Sequence, residues 1–165
     1  MGYYVTTEKI NMVLTKEQQD EIFNNWKQYL SMTIPLPLSL VEYKNQINNN
    51  EIKNCEDFLK EIGFTYSKDE NHTITLIDGS YDMEYQRALF KNAEHLFTSG
   101  SYIHWRGEDL AFFGWFFNHE LINYSSKKEF KILDKELKEK LTFVNNLKND
   151  LEKKQQTEIS KKFKV

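Results

Sequence analysis

The densest run of reactive side chains lies in Ser101-Tyr-Ile-His-Trp-Arg-Gly-Glu-Asp-Leu110. An imidazole (His104), a guanidinium (Arg106) and two carboxylates (Glu108, Asp109) fall within six residues of one another. If the segment is a strand, period two puts Tyr102, His104 and Arg106 on one face and Ile103 and Trp105 on the other, with Glu108 and Asp109 in the turn that follows. Read chemically, this is a small polar site. The guanidinium holds an anion, the imidazole titrates near neutrality, and two carboxylates stand by for acid–base work. Read structurally, it is an exposed strand face whose arginine pairs with a turn carboxylate. The second reading is preferred, because one arginine and one histidine at a hairpin tip are common. Tyr102, His104, Arg106, Glu108 and Asp109 are therefore candidates for binding a ligand or partner, and no catalytic residue is assigned.

The rest of the chain holds little else that points to chemistry. It lacks GxGxxG, a phosphate-binding P-loop, HExxH, GxSxG and CxxC. The histidines His72, His95, His104 and His119 show no metal-ligand spacing, so no metal and no cofactor is expected. The single cysteine, Cys55, excludes an internal disulfide and multi-cysteine zinc sites, and on an inward helix face it reads as a small apolar residue.

Two segments must position the candidate strand. The 165 residues include 12 Phe, 9 Tyr and 3 Trp, enough large rings to build a core and to exclude wholesale disorder. Only Phe130, Phe143 and Phe163 lie beyond residue 125. Charge divides at the same place. Residues 126–165 carry 12 lysines against 7 acidic residues, a net +5, and residues 1–125 carry 10 basic against 18 acidic residues, a net −8. The expected organisation is an acidic α+β body over 1–125 and a basic C-terminal helix over 126–165.

In the body, residues 2–14 suit a first strand. Thr15 and Gln18 have capping-box spacing, and Ile22, Phe23, Trp26, Tyr29 and Leu30 share one face of the helix they open. Pro35 and Pro37, each after an apolar residue in Ile34-Pro35-Leu36-Pro37, end it. Ser39 and Glu42 offer a cap for a short second helix. Ile52, Cys55, Phe58, Leu59 and Ile62 mark a third, stopped by Gly63. A hairpin over 64–67 and 73–77, closed by Asp78-Gly79, a fourth helix over 82–98 and three strands at 101–106, 110–117 and 121–124 complete the body. Short turns imply antiparallel pairing, so the fold class is α+β: an antiparallel sheet with helices packed on it, plus the long helix.

In that helix Phe130, Leu133, Leu137, Leu141, Val144, Leu147 and Leu151 form an apolar seam at spacings of three and four, with Lys140 intruding. The seam reads as a coiled-coil dimer interface or as a face docked on the chain's own body. Acidic residues interspersed among its lysines speak against a phosphate-binding arm, so direct nucleic-acid binding is not expected.

The start Met-Gly-Tyr-Tyr, together with Gly100-Ser101-Tyr102-Ile103 and Trp105-Arg106-Gly107-Glu108-Asp109 followed by Trp115 and Phe117, resembles a family of small uncharacterised bacterial and phage proteins. The resemblance spans roughly residues 1–120. It implies a fold and no catalytic residues. The family's pattern has glycine after the Glu-Asp pair, where Leu110 stands here.

No signal-like start and no apolar run of about 20 residues are present, so a cytoplasmic protein without a membrane segment is expected. The functional expectation is a non-catalytic binding protein, such as a phage-encoded inhibitor of a bacterial defence system of the anti-CRISPR kind. Its acidic surface would occupy the basic nucleic-acid-binding cleft of an effector. The alternatives are a nucleotide-signal binder, stacking a base on Tyr102, Trp105 or Trp115 and holding phosphate with Arg106, and a hydrolase built on the His104 cluster.

Overall fold

Apolar alternation and capping signals set the elements, and a computed structural model describes them for residues 4–32 and 35–162, with side chains omitted for 81–85. Ile34, the Tyr85 side chain, Phe163 and the first three residues of the Met-Gly-Tyr-Tyr start lie outside the described residues. The expected first strand is two: β1 (Tyr4–Asn11) and β2 (Val13–Leu14). They part at Met12, whose carbonyl accepts from Leu76 N–H at 3.0 Å while its side chain is buried. Helix α1 (Lys16–Leu30) begins at the capping box, where Thr15 Oγ1 accepts from Gln18 N–H and Gln18 Oε1 accepts from Thr15 N–H. It buries Ile22, Phe23, Trp26 and Leu30.

Helix α2 (Leu38–Asn48) starts after Pro37, with no side-chain cap; Ser39 is inside the helix and not its cap. Pro37 supersedes it because a proline at the boundary already fixes its own φ and needs no donor satisfied. Helix α3 (Cys55–Glu61) starts three residues later than Ile52, where Asn54 accepts from Asp57 N–H. Gly63 follows it at φ 104°.

Strands β3 (Phe64–Lys68) and β4 (Ile74–Asp82) form the hairpin. Asp78-Gly79 does not end β4: Gly79 lies opposite Phe64, and a Cβ there would overlap the Phe64 ring. The glycine is used for close packing inside a strand, not for a turn. Helix α4 covers Met83–Asn92, and a separate 3₁₀ turn at Glu94–Leu96 replaces the last part of the expected helix.

Strands β5 (Tyr102–Gly107), β6 (Phe112–Phe117) and β7 (Leu121–Tyr124) follow. The sheet has seven strands in the order β2-β4-β1-β5-β6-β7, with β3 on the other side of β4, and all pairings are antiparallel. Ile103, Trp105, Trp115 and Phe117 belong to the hydrophobic core together with Trp26, Phe58, Phe90 and Phe97.

Helix α5 runs from Lys127 to Lys162. The chain divides into two compact units, residues 1–127 and 128–165. Along α5, Phe130 and Leu133 are half-buried and Leu137 is buried, whereas Leu141, Val144, Leu147 and Leu151 are about half exposed or more. No helix among the described residues is long and apolar enough to cross a membrane.

Candidate functional site

β5 is a central strand, and its pairings decide what surrounds each candidate. On β6, Phe116 faces Tyr102, Gly114 faces His104 and Phe112 faces Arg106. On β1, Arg106 faces Thr6 and His104 faces Lys9, across an irregularity between Thr7 and Lys9 that holds Glu8. On β7, Tyr124 faces Gly114.

The result is a ring cluster around an imidazole. His104 is buried and stacks on Tyr102, with ring centroids 4.8 Å apart, and meets Phe112 and Tyr124 edge-on at 5.3 and 5.7 Å. Gly114 makes this possible, because a Cβ on it would lie 2.1 Å from the Tyr124 ring. Lys9 Nζ lies 5.7 Å from the Tyr102 ring centre and Lys127 Nζ 5.8 Å from that of Phe112. Burial, reinforced by the Lys9 and Lys127 charges and opposed by Glu8, holds the His104 pKa below its ordinary value. The imidazole is thus neutral at pH 7. Burial also pushes the Tyr124 phenol above its usual range.

Beside the rings is an ion network. Glu8 receives Arg106 Nη2 at 3.0 Å on one oxygen and Lys127 Nζ at 3.0 Å on the other. The Lys127 hydrogen bond, then that from Arg106, pull the Glu8 carboxyl below the ordinary glutamate range. The turn carboxylates have separate tasks. Glu108 Oε1 accepts from Tyr4 N–H at 3.3 Å, and Asp109 Oδ1 accepts from Ala111 N–H at 3.1 Å. Leu110 completes the turn at φ 63°, in the left-handed region that glycine adopts freely.

Tyr102, His104 and Arg106 therefore share a face, as period two requires. The face is not the exposed strand surface that the residue types suggest: His104 is buried because Phe112, Tyr124 and Tyr102 surround it. Trp105 and Trp115 are fully buried in the core, 5.2 Å from each other, and are not brought to Arg106. A base stacked on either indole would have to displace the core. Arg106 pairs with Glu8, 98 residues away, and not with Glu108 or Asp109. Glu8, Lys9, Phe112, Tyr124 and Lys127 are members of the cluster that residue types alone do not reveal; strand register links the first four to His104, and Lys127, at the start of α5 just after β7, joins through Glu8.

The remaining candidates are scattered. His72 and His119 occupy turn positions at φ 62°, and His95 is in the 3₁₀ turn. Cys55 is buried, and burial, with help from the Glu56 charge, pushes its thiol up to about 12, so it is not a thiolate at neutral pH. Among the described residues no group of three His, Cys, Asp or Glu side chains could hold a metal ion.

The depressed His104 pKa has a sign that can be checked. Protonation favours the unfolded chain, in which the imidazole titrates at its ordinary value near 6.5. Stability tied to the neutral ring is complete above that pH and is lost as pH falls below it. The urea midpoint should fall between pH 7.5 and about 5.5, a window above the usual carboxylate range, and should fall less in His104→Phe, which keeps a ring in the cluster. Equal slopes for both proteins would refute the assignment.

Comparison of the chain with protein families, with curated proteins and with solved structures finds no match.

Proposed function

We propose that this protein is a non-catalytic binding protein whose acidic body engages a basic macromolecular surface. The observation that carries the reading is the employment of the densest polar cluster. Arg106 is held by Glu8, Glu108 holds the β1 backbone, Asp109 holds its own turn, and His104 is a neutral ring among rings. Such groups tie strands together, and a reaction would have to take them from that task.

The acidic side chains are spread over neighbouring elements: Glu17, Asp20 and Glu21 on α1, Glu56, Asp57 and Glu61 on α3, and Asp69 and Glu70 in the β3–β4 turn. α1 packs on α3, and the charges of Asp20 and Glu56 both reach Cys55. These elements and the adjoining end of β3 also carry Lys16, Lys27, Lys60 and Lys68, with Lys16 paired to Asp20 and Lys68 to Glu56. The acidic excess of eight against four suits a cleft that otherwise binds nucleic acid, with association accelerated at low salt. The narrower form of the proposal is a cytoplasmic inhibitor, of phage origin, of a bacterial defence nuclease.

The test is affinity capture from bacterial lysate at low and high salt, with native mass spectrometry of the eluate. A macromolecular partner lost at high salt, weakened at least tenfold by Glu17→Lys with Glu21→Lys and retained by Arg106→Ala, is the expected result. A protein that elutes alone with a small bound mass, lost on Arg106→Ala, would overturn the reading and favour a ligand-binding protein.

A further inference from the structure

At 100° per residue, Leu137, Leu141, Val144, Leu147, Leu151 and Ile159 all fall within an arc of about 120° on α5. Exposure changes along this arc. Leu137 is buried, but Leu141 is 50%, Val144 56%, Leu147 48%, Leu151 60% and Ile159 55% exposed. A stripe of five large apolar residues left in water over five turns is a contact surface without a contact.

The charges on the stripe say which contact. Over residues 140–158, in heptad register, Val144 and Leu151 take a positions and Leu147 takes d, Leu141 flanks the seam at e while Ile159, at b, lies off it, and the charged intruders are Lys140 and Lys154 at d and Glu158 at a. None of these three is in an ion pair among the described residues. In a parallel pair of helices each would meet its own copy, so lysine would face lysine and glutamate would face glutamate. In an antiparallel pair centred on Asn149, Leu147 faces Leu151 of the other copy, and Lys140 faces Glu158. Lys154 then lies across from Val144, where its four-carbon stem can cover apolar surface while the ammonium reaches water.

We infer that residues 140–158 of α5 bind the same residues of a second copy of this chain as an antiparallel two-stranded coiled coil. The occupant is set by charge complementarity: the same stripe is self-repelling in one orientation and self-complementary in the other. The interface is isologous, as a two-fold dimer requires. It concerns α5 alone and stands independently of the acidic-surface reading. Its effect would be to make each assembly bivalent for whatever the body binds.

The experiment is sedimentation equilibrium on the full chain and four variants, with thermal unfolding as the folding control. The wild type should be a reversible dimer at micromolar concentrations. Leu147→Asp, at an exposed position, should be a folded monomer. Lys140→Glu and Glu158→Lys should each weaken dimerisation about tenfold, and the double reversal should restore it to within about twofold, because the pair re-forms with its signs exchanged. A wild type that stays monomeric to about 100 times that concentration would overturn the dimer. Additive effects of the two reversals would overturn the antiparallel register even if a dimer forms.

Discussion

Trp26→Ala should lower the stability of the body by about 3–5 kcal/mol, the range for deleting a large buried ring. Trp26 is fully buried on α1 and is the ring on which three helices converge. Its centroid lies 4.9 Å from Phe58 on α3 and 5.6 Å from Phe90 on α4, the latter edge-on, and its Nε1–H donates to the Leu89 carbonyl at 2.7 Å. Truncation opens a cavity at that junction and removes the indole donor together. Domains of this size have about 5–15 kcal/mol in total, so a large part of the stability would be lost, and the melting temperature should fall by about 10 °C or more. Trp26→Phe separates the two terms: it keeps most of the volume and loses the hydrogen bond, and should cost about 1–2 kcal/mol. Urea unfolding followed by circular dichroism measures both. A loss below about 2 kcal/mol for the alanine variant would show that the three helices do not depend on this ring.

Gly63→Ala should cost about 3 kcal/mol, from two effects at one site. Gly63 adopts φ 104°, which a side chain makes unfavourable by about 1–2 kcal/mol. A Cβ built there would also lie 1.9 Å from the Ser80 carbonyl oxygen. That oxygen belongs to β4 and cannot swing away as a side chain would, and the Ser80 N–H already donates to the Gly63 carbonyl at 3.2 Å. Overpacking adds about 1–3 kcal/mol. Gly63→Asn tells the two effects apart. Asparagine tolerates the left-handed region better than alanine but carries the same Cβ. If the clash dominates, both variants unfold at similar urea concentrations. An asparagine variant close to wild type would show that φ alone required the glycine.

The two sites also show where sequence reading reaches its limit. The α1 face that includes Trp26, and Gly63 as a helix stop, follow from spacing and local backbone rules, because both are decided within about four residues. The capping box at Thr15 and Gln18, the placement of β7 and the extent of α5 to within the described residues follow in the same way. Local rules fail where a distant strand intervenes. Asp78-Gly79 resembles a turn, yet Gly79 is inside β4 because the Phe64 ring needs the space. The break at Met12 depends on Leu76, and the end of α4 is followed by a 3₁₀ turn whose Glu94 accepts from Leu121 N–H at 2.6 Å.

The candidate site follows the same division. That Tyr102, His104 and Arg106 share a face, opposite Ile103 and Trp105, is a consequence of the two-residue period of a strand and was determined by sequence alone. So were the α+β class, the acidic body, the basic helix and its apolar stripe, since charge and periodicity are properties of the chain. What that face holds was decided by tertiary structure. Glu8 and Lys127, 119 residues apart, meet on one carboxylate that also binds Arg106, and Tyr124 closes on His104 over a glycine. Strand order and register make the contacts among Glu8, Arg106, His104 and Tyr124 and bring the start of α5, just after β7, to Glu8; both arise from which strands bury their apolar faces together, a property of the whole core that no short segment encodes.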